Sequence, residues 1–491
     1  MVLKSTKPVS GRQLTAENMH EHTREAEYAV RGPVANKAIE IQAKLRSPTE
    51  CGAFSFKNLI SCNIGNPQAL GQKPITFLRR VAAACTHPPL MDIPGVFPSD
   101  VIARAKSYLA NTDRGCGTGA YTDTYGLLLV REEVAAFIAR RDGYPCSVSN
   151  VAITSGASEA VRRVIQALLA DSSDGIMISA PQYPLYTCSI TMCGGQTVFY
   201  NLDESQGWSI DEAELERAYN EAVARGVNVR GIVVINPGNP VGSVLSEETI
   251  KKVILFANAR NLLIFADEVY QENVYCESKK FISFKKCLCD LDLPGQQLVS
   301  FHTVSKGLVG ECGQRGGYVE YIGFDDPMMA QFRKLAASAL CSNTLGQIFV
   351  GLMVNPPKVG DVSYAEYIEE TGAISSSLAR RAVKLFAALN AIPGISCQPV
   401  EGAMYAFPRI EMPASAIAEA KRRNLVPDEM YCLDMVDEIG VVTVPGSGFG
   451  QLENTYHFRT TILPSEDEID DVVTRLAQYN AAFLRKHAST T

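Results

Sequence analysis

The sequence predicts an α/β protein, a mostly parallel central sheet with helices on both faces, joined to a smaller α+β domain. Three observations predict it. Between about residues 150 and 325, short apolar runs alternate with helix-like segments. Each of those runs ends in a polar or glycine-rich turn. After about residue 355 the texture changes to one long helical stretch, several short strands and a closing amphipathic helix.

Length fits that division, because 491 residues exceed one simple core and call for two or three domains or subdomains. Residues 1–75 read as an N-terminal arm and small-domain segment, packing on the small domain or on a partner chain. Residues 76–354 read as the large domain and 355–491 as the small C-terminal domain. Composition is that of an ordinary globular protein, 46% hydrophobic and 20% charged, with a mean hydropathy of zero. A net charge of -7 and a pI near 5.6 leave no electrostatic footprint for nucleic acid. The pairs Arg79-Arg80, Arg140-Arg141 and Arg422-Arg423 are read as solvated helix positions. No apolar run reaches the roughly 18 residues of a membrane-crossing helix. Fourteen scattered cysteines lack paired zinc spacing and point to free thiols in a reducing compartment. Cys287-x-Cys289 is too close-set for a zinc clip and is read as structural. The basic opening "MVLKSTKPVSGRQLTAENMH" permits a mitochondrial leader, but one arginine and no apolar core make the cytoplasm the expectation. The ending "RKHASTT" is not a peroxisomal tripeptide.

The elements follow in order. "NVAITSGASEAVRRVIQALLA" is strand, glycine turn and helix. "GIMISAPQYP", "RGIVVINPGNPVG", "NLLIFADEVY" and "QLVSFHTVSKG" are strands running into turns, the last of them over Leu298 to Thr303. Beyond 355, "YAEYIEETGAISSSLARRAVKLFAALNAI" is a helix, "GAMYAFPRI", "IGVVTVP" and "YHFRTTIL" are short strands, and a last helix starts near Ser465. In parallel sheets ligands gather at the carboxyl ends of the strands, so the turns are where a site is assembled.

Read as chemistry, "TSGASEA" sets Gly156, Ala157 and Ser158 at a helix N-terminus, which favours an anion, although glycine and serine also serve as ordinary caps. "NPGNPVG" makes a rigid turn that can aim an Asn amide at a ligand. "IFADEVY" puts Asp267 at the end of an apolar strand, where a carboxylate is costly to bury without a cation. "SFHTVSKGLVGECGQRGGYVE" places Lys306 after a strand and before a glycine-punctuated loop, with Arg315 nine positions on. Taken singly, each has a blander reading as a cap, a turn or a surface charge. Together they match pyridoxal 5'-phosphate: a lysine for its aldehyde, an acid for its ring nitrogen, and an arginine and helix terminus for its phosphate.

The chain also resembles the alanine aminotransferase family, within the fold-type-I, class I/II pyridoxal-phosphate-dependent aminotransferases. The strings that carry the resemblance run from "SCNIGNPQ" through "GAYTDTYGLLLVREEVAAFIARRDG", "ITSGASEA", "APQYPLY", "VINPGNPVG", "FADEVYQENVY" and "SFHTVSKGLVGECGQRGGYVE" to "EGAMYAFPRI" and "HFRTTILP". The resemblance implies that Lys306 is the Schiff-base lysine, Asp267 the partner of the ring nitrogen, and Asn239 and Tyr270 donors to the phenolic oxygen. Tyr183 would stack on the ring. Ala157, Ser158, Thr303, Ser305 and Arg315 would hold the phosphate, with Tyr121 reaching in from the neighbouring subunit of a homodimer. Arg459 would grip the substrate α-carboxylate, with Gly65 and Asn239 beside it. Thr303 stands where many relatives have serine and keeps the hydroxyl. His302 is expected to be structural and Trp208 to pack a core. The implied reaction is L-alanine plus 2-oxoglutarate to pyruvate plus L-glutamate, with glyoxylate a smaller alternative acceptor. A carbon–sulfur lyase or an aminocyclopropane-carboxylate synthase shares the fold and lysine motif. A regulator lacks a DNA-binding module here, and a silent binding protein would be expected to have lost Lys306 or Asp267.

Overall fold

The structure, a computed structural model, describes residues 14–488. The start of the basic N-terminal stretch, residues 1–13, and the last three residues lie outside it. The central sheet has seven strands: β1 (Val151–Thr154), β2 (Asp174–Ala180), β3 (Gln196–Asn201), β4 (Asn228–Ile235), β5 (Leu263–Asp267), β6 (Leu298–Thr303) and β7 (Gly317–Ile322). Their spatial order is β1-β7-β6-β5-β4-β2-β3. The four pairings from β3 through to β6 are parallel, and β7 runs antiparallel between β6 and β1. Every residue of β1, β2, β5 and β6 is buried, as expected of strands covered on both faces.

Side-chain alternation sorts these strands into two cores. Ile176, Ile178, Val233, Phe265 and Val299 face one side with the helix Ala157–Leu168. Met177, Ile232, Val234, Ile264 and Ala266 face the other, in the core that holds Trp208 and Cys287. Trp208 therefore packs a core as expected, against Phe407 and His457. A third core joins β1 to the helices Thr76–Thr86, Ser99–Ala110, Leu128–Asp142 and Thr344–Val354.

The C-terminal core gathers Leu378, Leu385, Met430, Met435, Phe458 and Leu476. The N-terminal helix Pro33–Arg46 contributes Val34 and Ile41 to it, and Ile60–Ser61 pairs in parallel with Val441–Val442. The 27-residue helix Tyr364–Asn390 crosses between the cores: Tyr367 packs on the third and Leu378 to Leu389 on the C-terminal one. Arg80 pairs with its Glu366 at 2.5 Å. This helix thus packs on both bodies. The last helix, Glu466–Lys486, opens with a capping box between Ser465 and Glu468.

One basic pair departs from the solvated reading. The Arg141 side chain is 14% exposed and makes two 2.7 Å bonds to Asp142, with a third of 2.9 Å to Gln271. Asp142 is a buried carboxylate, and only a matched cation makes its burial tolerable, which draws the guanidinium inward. Arg422, by contrast, is 76% exposed as expected.

Candidate active site

The carboxyl ends of the strands converge on one cavity of about 270 Å³. β5 ends in Asp267, and β6 ends in Thr303 and runs on into Ser305 and Lys306. β4 leads to Asn239, β2 to Tyr183, and β1 to the glycine turn before Ala157 and Ser158. All of these line the cavity, as do Gly65, Tyr270, Arg315 and Arg459. Tyr121 does not; its side chain is 72% exposed on the surface.

At the cavity floor Lys306 Nζ donates to the Gly65 carbonyl at 2.6 Å. A Cβ on Gly65 would overlap the Tyr405 hydroxyl and stand 3.0 Å from Lys306 Nζ, so only glycine fits beside the lysine. Asp267 accepts from the Tyr186 hydroxyl at 2.8 Å and from the Val269 N–H at 3.4 Å. Burial lifts its carboxyl to about 6, opposed by those two donors and by the charge of Lys306. Arg459, also on the cavity, is 1% exposed. It donates through Nη1 to Asn239 Oδ1 at 3.1 Å and through Nη2 to the Asn63 carbonyl, and its Nε is unpartnered. The guanidinium lies 4.4 Å from the Tyr405 ring and 4.8 Å from that of Phe449. Among the described residues no carboxylate pairs with it.

The other end of the cavity is built for an anion. Gly156 has φ +82°, and a Cβ there would overlap the Arg315 guanidinium. The glycine therefore lets Arg315 lie against the start of the helix Ala157–Leu168, whose first N–H groups have no acceptor within the helix. Arg315 is held there by bonds to the carbonyls of Ser155 at 3.0 Å and Cys312 at 3.2 Å. Thr303 Oγ1 donates to the Gly316 carbonyl at 2.7 Å and lies 3.2 Å from Ser305 Oγ.

The family model "Aminotransferase class I and II" matches residues 95–476. The chain belongs to this family. It is 46% identical to "Alanine aminotransferase 2" of Panicum miliaceum over 96% of this chain and 99% of that protein. It is 45% identical to "Glutamate--glyoxylate aminotransferase 1" of Arabidopsis thaliana over 96% of this chain and 97% of that one. In fold it is similar to the alanine aminotransferase from Pyrococcus furiosus, with a TM-score of 0.75 at 22% identity, covering 95% of this chain and all of that one. This aminotransferase is therefore of fold type I and dependent on pyridoxal phosphate.

Three features of the aminotransferase site escape the motif reading. Tyr405 lies in the quoted string "EGAMYAFPRI", yet its hydroxyl accepts from Tyr270 at 3.1 Å in the cavity. Tyr186 supports Asp267 from the helix after "PQYP". The N-terminal segment brings Val30 and Arg31 to the cavity, and the hydroxyls of Tyr28 and Tyr183 are bonded. Tyr405 and Tyr186 carried a signal, being polar aromatics inside recognised strings. The N-terminal contacts span some 155 residues and leave no local pattern. His302 is buried and neutral, pushed down to about 3 by burial and Arg141, with its ring edge-on to Tyr318.

Proposed function

We propose that this aminotransferase moves the amino group of L-alanine to 2-oxoglutarate, giving pyruvate and L-glutamate reversibly in a ping-pong sequence. The observation that carries the reading is Arg459, a buried guanidinium with no carboxylate partner among the described residues, facing the same cavity as Lys306 and Asp267. A buried cation calls for an anion, and the α-carboxylate common to both amino acids supplies one. The relatives named alanine aminotransferase support alanine as donor. Their names also favour transamination over the lyase and synthase chemistries. The two glutamate–glyoxylate relatives, at 45% and 44% identity, favour glyoxylate as a further acceptor.

The residues present fit pyridoxal phosphate. The Gly156 turn, Arg315 and the hydroxyls of Ser158 and Ser305 make a cradle of donors for its phosphate, with the N–H of Ala157, and Thr303 stands beside them with its hydroxyl bonded to the Gly316 carbonyl. Asp267 is a buried carboxylate whose neighbours leave room for a cation, which suits the protonated ring nitrogen. Asn239 and Tyr270, 3.4 Å apart, are donors for the phenolic oxygen. Tyr183 offers a ring face, and Lys306 a primary amine for the aldehyde.

Bound there, the pyridine ring supplies a sink for the electrons left at the α-carbon when its proton departs. Asp267 holds a proton on the ring nitrogen and so keeps that sink effective. Arg459, with Gly65 and Asn239 beside it, orients the α-carboxylate through its planar fork. Lys306 Nζ would take the proton from the substrate's α-carbon.

We further propose a homodimer in which Tyr121 completes the partner's phosphate cradle, supported by its exposure of 72% outside its own cavity. All fourteen cysteines are free, which supports a reducing compartment such as the cytoplasm. The division at residues 75 and 354 is kept as a proposal for the domains. The test is the rate of each half-reaction with alanine, glutamate, aspartate and tyrosine, followed by the cofactor's absorbance. Alanine and glutamate are expected to be fastest. A faster reaction with aspartate or tyrosine would overturn the substrate reading.

A further inference from the structure

We propose that Tyr405 is a catalytic residue: its hydroxyl exchanges a proton with Lys306 Nζ, and the direction of that exchange is set by whether a carboxylate occupies Arg459. The proposal rests on the site reading above and goes beyond it, since Tyr405 has no place among the residues assigned so far.

The geometry is the first argument. Tyr405 sits on the two-residue strand Tyr405–Ala406, which pairs with Phe458–Thr461, the strand that carries Arg459. One small sheet therefore delivers both groups to the cavity, while the large domain delivers Lys306 and Tyr270. The Tyr405 ring is 2% exposed and stands edge-on to Tyr270 at 5.8 Å. The absence of a side chain at Gly65 leaves the space in which the Tyr405 hydroxyl and Lys306 Nζ meet. The guanidinium of Arg459 covers the ring at 4.4 Å.

Electrostatics gives the second argument. The groups that face Tyr405 are Tyr183, Tyr270, Lys306 and Arg459. Burial alone would raise its phenol, but the charges of Lys306 and Arg459, helped by the bond from Tyr270, bring it below the ordinary range. Tyr270 goes the other way, raised by burial and by Tyr405, and so remains the donor of the pair. Tyr405 is thus a phenol whose acidity is maintained by two cations, one of which is the anion-binding group of the site.

A carboxylate on Arg459 neutralises one of those cations. The phenolate then becomes the better base, and the step is Tyr405 O⁻ plus Lys306 N⁺–H giving Tyr405 O–H plus the neutral Lys306 amine. One N–H bond breaks, one O–H bond forms, and no electrons leave the pair. Once the substrate's amino group has released Lys306, the carboxylate on Arg459 would in this way leave the freed lysine as the basic amine that proton abstraction requires.

The test compares wild-type protein and Tyr405→Phe, each as the full chain freed of cofactor, by near-ultraviolet titration of tyrosinate. The difference between them is expected to show one tyrosine ionising below the ordinary value of about 10. Acetate, an unreactive carboxylate, is expected to move that ionisation upward in wild type and not in Arg459→Gln. In the holoenzyme, Tyr405→Phe is expected to lower kcat by about tenfold to a hundredfold with KM for alanine little changed. No low-ionising tyrosine, or one that acetate leaves unmoved, overturns the proposal. The titration needs no turnover, so its failure is distinct from failure of the transamination reading, which the half-reaction rates decide.

Discussion

Asp267 illustrates how one carboxylate reports its partner. Burial raises its carboxyl to about 6 from an ordinary 3.8. A folded value above the unfolded one means that its contribution to stability is complete below about pH 4 and is lost as pH rises through about 6, some 3 kcal/mol in all. Without cofactor, wild-type protein is therefore expected to lose about 3 kcal/mol more than Asp267→Asn between those limits, measured by denaturant unfolding at each pH. In the proposed pairing, the protonated ring nitrogen of the bound cofactor would reverse the preference, and the difference should vanish or change sign in the holoenzyme. Arg459 behaves in the opposite sense, since a guanidinium keeps its charge and its proposed partner is the substrate. Arg459→Lys keeps the charge but loses the fork, and is expected to lower kcat/KM for alanine and glutamate together by about tenfold to a hundredfold. A loss confined to one of the two would detach Arg459 from the shared carboxylate.

Among the elements, the turn from β1 into the helix Ala157–Leu168 has the most exact requirement. Gly156 needs φ +82° and no Cβ, because Arg315 lies where that atom would be. Gly156→Ala is expected to speed loss of cofactor about tenfold on dialysis while the melting temperature falls only slightly, since backbone strain of about 1 to 3 kcal/mol is confined to the loop. Unchanged retention would remove the turn from the phosphate cradle. This turn, the four strand ends and Lys306 were legible in the sequence because each is a local pattern: an apolar run, then a polar residue of fixed type. Tyr405 was less legible, because its place beside Lys306 comes from Gly65 and from a strand pairing with Arg459, both distant in sequence. The inward turn of Arg141 is hidden from the sequence for a similar reason. Nothing within its helix shows that Gln271 comes to meet it, or that the neighbouring Asp142 points inward.

Over the whole molecule, two bodies contribute residues to one cavity. Lys306, Asp267 and the anion cradle come from the large sheet, whereas Arg459 and Tyr405 come from the C-terminal body. The helix Tyr364–Asn390 passes from the third core into that second body, and the pairing of Ile60–Ser61 with Val441–Val442 ties the N-terminal segment to it. In the proposed homodimer Tyr121 is shared, so mixing inactive Lys306→Ala chains with inactive Tyr121→Ala chains should restore activity in heterodimers, one composite site being intact. Confirmed heterodimers without recovery would reject the shared site. The assignment of Lys306 underlies every role given to the other residues, and it is tested most directly by borohydride reduction of the holoenzyme followed by peptide mapping. The account predicts that the cofactor is fixed to a single peptide through Lys306, and that Lys306→Ala takes up no label while remaining folded; label on any other lysine of the wild-type protein would contradict it.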